Sequence, residues 1–159
     1  MKYLIAFGSN KGKRLEFIKN AKLELENIGE VIRYSSVYEN PPMGDSAQNK
    51  FLNALCEMET DLSPLRLLRK LKIIETKLGR QRSFHWGPRE IDLDIIDWSG
   101  KAVNNPLLKI PHPGMEERDF VLLPLKEIKE NYQSRSGKSI NTLCGFFPDS
   151  KLKLISREW

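Results

Sequence analysis

Apolar residues recur along the chain with two spacings, one typical of strands and the other of helices. Apolar stretches of strand length, bounded by glycine, proline, asparagine or serine, predict four strands at 3–7, 31–38, 51–60 and 91–98. Apolar residues three or four positions apart predict two helices at 14–28 and 64–78, each followed by a glycine. Ser63 and Pro64 occupy positions where an N-cap and a first helical residue are preferred.

The predicted elements follow the order βαββαβ, which favours an α+β, ferredoxin-like sandwich. The last third of the chain is less regular. A proline-rich loop runs through His112, a helix is predicted over 120–129, and a short apolar run lies at 152–155. No repeat, low-complexity tract or long linker interrupts the chain, so we expect residues 1–159 to form one domain with additional C-terminal elements.

The composition is that of a globular protein, since 40% of the 159 residues are hydrophobic and 30% are charged. No stretch approaches the roughly 20 apolar residues of a membrane span, and the first apolar run is too short for a signal peptide. Cys56 and Cys144 lack metal-ligand spacing, which favours a reducing compartment. We therefore expect a cytoplasmic protein with no membrane partner. The formal net charge of +5 fits a nucleic acid, an anionic small substrate or neither.

Asp92 and Asp94 are the first candidates for chemistry. Because they lie two residues apart on a predicted strand, their side chains project from the same face, while Ile91, Leu93 and Ile95 point into the core. Paired carboxylates suit Mg²⁺, which binds one or two carboxylates together with substrate phosphates. Without a cation, each carboxylate raises the pKa of the other. A solvated strand face that carries two acids and no ligand stays open as the alternative.

A basic segment lies directly upstream of these acids. Residues 79–89 contain two glycines and a proline between a helix end and a strand start, which predicts a loop. The loop carries Arg80, Arg82 and Arg89, and a guanidinium pairs well with phosphate oxygens. The combination indicates a metal-assisted phosphate site. The alternative is an exposed basic loop that only neutralises the strand edge.

Several familiar sites are absent from the sequence. It contains neither GxxxxGK[ST] nor GxGxxG, which argues against a P-loop enzyme or a protein kinase. His85 and His112 lack the spacing of zinc ligands, and no recognisable motif supplies a Ser/His/Asp set.

The stretch 86–96, WGPREIDLDII, resembles the characteristic motif of 6-hydroxymethyl-7,8-dihydropterin pyrophosphokinase, an enzyme family of folate biosynthesis. Other stretches match the family in order and approximate spacing: 6–10, 35–38 with 41–44, 51–54, Glu75 with Gly79-Arg80, and 110–112 with 118–120. The resemblance covers nearly the whole chain. It implies the same ferredoxin-like fold, a monomer, a pair of Mg²⁺ ions as cofactors, and ATP as co-substrate.

The resemblance also implies a role for each matching residue. Asp92 and Asp94 would bind Mg²⁺, and the catalytic residues Arg80 and Arg89 would hold the transferring phosphates. Residues expected to contact the pterin are Gly8, Asn40, Pro41, Met43, Phe51, Asn53, Trp86 and Phe120. Residues expected on the ATP side are Glu75, Arg82, Ile95, His112 and Arg118.

The implied reaction is transfer of pyrophosphate from ATP to the hydroxymethyl group of the pterin, with release of AMP. The chain departs from the family pattern in a shorter catalytic loop and in His85, Leu107 and Pro113, all of which bear on ATP binding. The composition of segment 80–89, with mutually repelling charges and few apolar residues, predicts that it is disordered or open without ligands.

Two other readings compete. An RNA-recognition module could share the fold and the positive charge, but its K/R-G-F/Y pattern is absent, so no nucleic-acid partner is expected. A different metal-dependent phospho- or nucleotidyltransferase would be distinguished by whether AMP, ADP or pyrophosphate is released.

Overall fold

The computed structural model describes residues 1–41, 48–81 and 87–159. These residues form a mixed α/β structure in which a six-stranded antiparallel sheet lies between helices. Four strands of the sheet, all within residues 2–98, carry the site: β1 Lys2–Ser9, β3 Val37–Asn40, β4 Phe51–Glu59 and β5 Asp92–Trp98. Along the sheet the order is β5-β1-β4-β3, then β8 Lys153–Ser156, while β2 Glu30–Tyr34 also pairs with β4.

Helices cover both faces of the sheet. The helices α1 Arg14–Glu26 and α2 Pro64–Lys77 pack against the face that carries Tyr3, Ile5 and Phe7. The opposite face carries Leu4 and Leu55 and is covered by α3 Asp119–Ile128 and α4 Ile140–Gly145, with a 3₁₀ turn Met115–Glu117 before α3. Neighbouring residues of one strand therefore enter different cores, as strand alternation requires. No helix in the described ranges is long and apolar enough to span a membrane.

The strand predicted over 31–38 is two strands, because Ser35 and Ser36 interrupt it. The Ser35 hydroxyl accepts the backbone N–H of Leu55 at 2.9 Å, and the Ser35 N–H donates to the carbonyl of Leu55 at 2.8 Å. The Ser35 hydroxyl thus accepts a backbone N–H of β4, and the apolar pattern alone does not reveal this contact.

A hairpin and a helix were not predicted. The expected loop before His112 contains a hairpin of β6 Val103–Asn105 and β7 Leu108–Ile110, and α4 lies in the region expected to be irregular. Both are shorter than the window over which periodicity is informative. At the start of α2, Pro64 is the first helical residue, but Ser63 makes no side-chain capping hydrogen bond.

Candidate active site

The centre of the site lies where β1 runs between β4 and β5. Gly8 pairs with Asn53 on one side and with Asp92 on the other, and Ala6 pairs with Asp94. A Cβ atom at Gly8 would lie 3.7 Å from Oδ1 of Asn53 and 3.9 Å from Cβ of Asp92. The glycine therefore keeps the space between the amide and the carboxylate open, at the floor of a cavity.

Asp92 is enclosed by two arginines. Arg80 donates to Oδ1 of Asp92 at 2.6 Å, and Arg89 donates to Oδ2. Burial opposes ionisation of Asp92, but the charges of Arg89 and Arg80 outweigh it and hold the pKa of that carboxyl below its usual value. The two predicted catalytic arginines thus meet on one predicted metal ligand.

Asp94 lies on the same face of β5 in a different electrostatic environment. Burial, followed by the negative charge of Asp92, raises the pKa of Asp94 above its usual value. Within the described part of the chain no ion pair reaches it. A partly buried carboxylate that lacks a cation partner suits a metal ion.

The two aspartates fit a shared metal site better than an all-protein cage. Among residues 1–41, 48–81 and 87–159 there is no group of three or more His, Cys, Asp or Glu side chains that could hold an ion. Mg²⁺ commonly binds one or two carboxylates and completes its shell with water and substrate phosphates. The donor set of Asp92 and Asp94 therefore fits Mg²⁺ that arrives with a nucleotide.

Glu75 lies behind Arg80 rather than in the cavity. It is 2% exposed, and its Oε1 accepts from the Leu93 N–H at 2.7 Å and from Lys72 Nζ at 2.9 Å. Its Oε2 contacts Arg80 at 2.7 Å. Burial, only partly offset by Lys72, raises the pKa of Glu75. In this arrangement Glu75 supports Arg80 and the first residues of β5.

The other half of the cavity has amide and aromatic walls. Asn53, which is buried, donates to Oδ1 of Asn40. Phe51 and Phe120 line the same cavity from β4 and α3, and the guanidinium of Arg118 lies 5.8 Å from the centre of the Phe120 ring. Such walls suit a flat heteroaromatic ring with polar edges.

Three further predicted residues do not line the cavity. Pro41 borders a neighbouring groove beyond Asn40, and the Ile95 side chain packs in the core on the face of β5 opposite Asp94. His112 accepts the Gly114 N–H on Nδ1 at 3.1 Å. Burial lowers the pKa of His112, although Asp94 opposes that shift.

The predicted residues Met43, Arg82 and Trp86 lie outside the described residues, as does half of the segment 80–89 that was predicted to be disordered or open. The other predicted site residues that line the cavity together are Gly8, Asn40, Phe51, Asn53, Arg89, Asp92, Asp94, Arg118 and Phe120.

Two supporting residues were missed by the sequence analysis. Asn10 accepts the Arg89 N–H on Oδ1 at 2.7 Å and donates its own N–H to the Arg89 carbonyl at 3.0 Å, so it fixes the backbone of that arginine. Lys72 contacts Glu75 one helical turn away. The spacing of Lys72 and Glu75 is visible in the sequence, but the contact between residues 10 and 89 leaves no local signal.

Comparison with known proteins identifies the family. The model of 7,8-dihydro-6-hydroxymethylpterin-pyrophosphokinase (HPPK) matches residues 4–130. The 2-amino-4-hydroxy-6-hydroxymethyldihydropteridine pyrophosphokinase of Aquifex aeolicus is 42% identical over 127 residues, covering 80% of this chain and 79% of that one. The protein of the same name from Haemophilus influenzae is 36% identical over 150 residues, covering 93% and 94% of the two chains.

A longer relative and a solved structure show the same similarity. The folic acid synthesis protein of Dictyostelium discoideum is 44% identical over 128 residues, which cover 80% of this chain but 20% of that protein. A crystal structure of Plasmodium falciparum HPPK-DHPS superposes with a TM-score of 0.74 at 16% identity, covering 92% of this chain. This chain spans 45% of the Plasmodium chain, and at that identity the likeness concerns the fold alone.

Proposed function

The chain belongs to the 7,8-dihydro-6-hydroxymethylpterin-pyrophosphokinase family, and on that premise we propose how its residues carry out the reaction. It is a pyrophosphokinase, a transferase that moves a pyrophosphoryl group in folate biosynthesis. The proposal concerns the metal, the substrate-binding residues and the groups that act on the phosphates. The observation that carries it is the cavity in which the Asp92 and Asp94 pair, with Arg89, faces the amide and aromatic wall of Asn53 and Phe120.

The acceptor is the hydroxymethyl group of the pterin, bound between Asn53 and Phe120. The buried Asn53 amide reads the polar edge of the ring, and the Phe120 ring stacks on its face. Gly8, Asn40 and Phe51 complete the described part of this pocket, and Pro41, Met43 and Trp86 are proposed to extend it. The proposal is supported by the convergence of β1, β3, β4 and α3 on one cavity.

The pyrophosphoryl donor is ATP, bound at the carboxylate side of the cavity. Asp92 and Asp94 hold Mg²⁺, which supplies charge neutralisation of the phosphates when bound. Arg118 and His112 border the nucleotide, with Arg82 proposed beside them, while Glu75 and Ile95 act from behind the site. The raised pKa of Asp94 supports a cation at this position.

Arg80 and Arg89 are proposed to stabilise the charge that develops during transfer. Both hold Asp92 through single nitrogen contacts, so their guanidinium groups can exchange a carboxylate oxygen for a phosphate oxygen of similar charge. The pterin oxygen forms a bond to the β-phosphorus, the bond from that phosphorus to the α-phosphate bridge breaks, and AMP leaves. The hydroxyl proton is released without an assigned base.

The whole-chain proposals follow from the same premise. The order β5-β1-β4 followed by β2 and β3 supports a ferredoxin-like arrangement with α3, α4 and β8 added. We propose one domain over residues 1–159 that acts as a monomer without nucleic acid. Cys56 and Cys144 are both free thiols, which supports a cytoplasmic location.

Product analysis tests the proposal directly. The protein is incubated with ATP, Mg²⁺ and 6-hydroxymethyl-7,8-dihydropterin, and phosphorus NMR identifies the products. AMP and a pterin diphosphate are the expected products, and neither should form when Mg²⁺ is chelated before the reaction starts. Release of ADP or pyrophosphate would indicate a different transferase and would refute the proposed reaction.

A further inference from the structure

One carboxylate outside the cavity joins two elements that form its pterin side. Glu127, near the end of α3, accepts the backbone N–H of Ser36 at 2.9 Å and the Ser36 hydroxyl at 2.7 Å. The same carboxylate accepts the hydroxyl of Tyr38 on β3 at 2.9 Å. Three donors from residues 36–38 thus converge on a single side chain of α3, and none of them belongs to the residues assigned above.

The positions of these residues relate them to the cavity. Tyr38 and Asn40 are two residues apart on β3, so their side chains lie on the same face of that strand. Phe120 and Glu127 are seven residues apart on α3, which is two helical turns, so they share one face of the helix. The bond between Tyr38 and Glu127 therefore joins the strand face that carries Asn40 to the helix face that carries Phe120.

The backbone on each side of this junction has a local interruption. Pro124 lies inside α3 and has no N–H, so the carbonyl oxygen of Phe120 receives no helical hydrogen bond from residue 124. β3 is four residues long, and the chain before it is interrupted at Ser35 and Ser36. The helix that carries Phe120 thus lacks one backbone hydrogen bond, and the strand that carries Asn40 is short. A cross-link between these two elements through Glu127 therefore influences the distance between Phe120 and Asn40.

We propose that Glu127 is a positioning residue for pterin binding, which sets the separation of Asn40 and Phe120 through its hydrogen bonds to Ser36 and Tyr38. The inference rests on the proposed function only in assigning Asn40 and Phe120 to the pterin. Burial, together with the hydrogen bond to Glu127, raises the pKa of Tyr38 to about 12, as expected for a phenol held against a carboxylate. We call the hydrogen bonds of Glu127 to Ser36 and Tyr38 the brace. The brace includes neither the carboxylates of β5 nor the arginines that face them.

The experiment compares binding of the two substrates in Glu127→Gln and Tyr38→Phe. Loss of a charge-assisted hydrogen bond that orders the pocket is expected to weaken pterin binding about three- to tenfold. The affinity for a non-hydrolysable ATP analogue should stay within twofold of that of the unmodified protein. Because both changes disrupt the same brace, the double variant should lose less pterin affinity than the product of the two single losses.

Glu24→Gln is the matched control. Glu24 also accepts two hydrogen bonds across elements, from Lys77 Nζ at 2.7 and 2.8 Å, but it joins α1 to α2 on the other side of the sheet. Its substitution should leave the pterin affinity unchanged. Unchanged pterin affinity in Glu127→Gln, or an equal loss for both substrates, overturns the inference. Failure of the unmodified protein to bind the pterin would instead refute the proposed function.

Discussion

Asp92 and Asp94 have equivalent positions on β5 but opposite electrostatic surroundings. The two arginines that pair with Asp92 favour its charged form, whereas burial and the charge of Asp92 disfavour the charged form of Asp94. In the metal-free protein the ionised Asp92 therefore stabilises the fold at neutral pH, and this contribution is lost as the pH falls through its lowered pKa. The ionised Asp94 destabilises the fold at neutral pH, and this cost is relieved as the pH falls below its raised pKa.

This difference predicts opposite effects of two similar substitutions. Asp92→Asn removes the carboxylate that Arg80 and Arg89 share, although Arg80 keeps its contact with Glu75, and should lower the free energy of unfolding by about 1–3 kcal/mol without metal. Asp94→Asn should leave it unchanged or raise it. Both should reduce turnover at least about 100-fold, because each loses a proposed metal ligand. Urea unfolding and steady-state rates measure the two effects, and equal destabilisation by both variants would contradict the prediction.

A second prediction concerns the pterin wall. Asn53→Ala removes a buried amide and the hydrogen bond that it donates to Oδ1 of Asn40, so pterin binding should weaken by about 1–3 kcal/mol. Binding of an ATP analogue should change little, since Asn53 lies on β4, across β1 from the aspartates. Calorimetric titration with each ligand provides the comparison, and the exposed Asn104→Ala on the hairpin serves as a control. A larger loss of affinity for the ATP analogue than for the pterin would assign this wall of the cavity to the nucleotide site instead.

Among the elements, β8 has a structural role that its short apolar run did not indicate. It pairs with β3, the strand that carries Asn40, and the chain after it places Trp159 in the core. The Trp159 ring packs edge-on against Phe7 with the ring centres 5.3 Å apart, and its N–H donates to the Ser35 carbonyl at 2.7 Å. The tryptophan therefore anchors both β8 and the interruption between β2 and β3.

Substitution of this anchor gives the third prediction. Trp159→Ala should lower the free energy of unfolding by about 3–5 kcal/mol, as expected for loss of a large buried aromatic ring. Trp159→Phe keeps most of the ring but loses the N–H donor, so it should cost about 1 kcal/mol. Chemical unfolding of the three proteins measures the series. If Trp159→Ala were as stable as the unmodified protein, β8 would not be anchored by this residue.

These elements also show what local patterns can predict. Alternation in β4 and β5 depends only on neighbouring residues, so the common face of Asp92 and Asp94 was predictable. The break at Ser35 and the packing of Trp159 depend on partners at residues 55 and 7, which periodicity does not report. Similarly, residues 40, 53 and 120 meet only in the folded chain, and the family resemblance, rather than the pattern, related them to one ligand.

At the scale of the whole molecule, two tyrosine hydroxyls and one cysteine thiol are buried in the cores and have raised pKa values. Tyr3 is fully buried and donates to the Leu62 carbonyl at 2.7 Å, and burial raises its pKa to about 12. Burial, followed by the hydrogen bond to Asp97, also raises the pKa of Tyr132, whose hydroxyl lies 2.7 Å from that carboxylate. The buried thiol of Cys56 has a raised pKa as well, for the same primary reason.

The fourth prediction is that these groups destabilise the fold at high pH. Below about pH 7 all three are protonated in both the folded and the unfolded chain, so their contribution to stability is fully present. As the pH rises, the unfolded chain loses these protons first, and the free energy of unfolding falls by up to about 1.4 kcal/mol per pH unit for each group. Tyr132→Phe removes one of them, so its urea-derived stability should fall less steeply between pH 10 and 12, a window set by the ordinary and raised pKa values of a tyrosine. An unchanged slope in this variant would show that Tyr132 does not retain its proton in the folded protein.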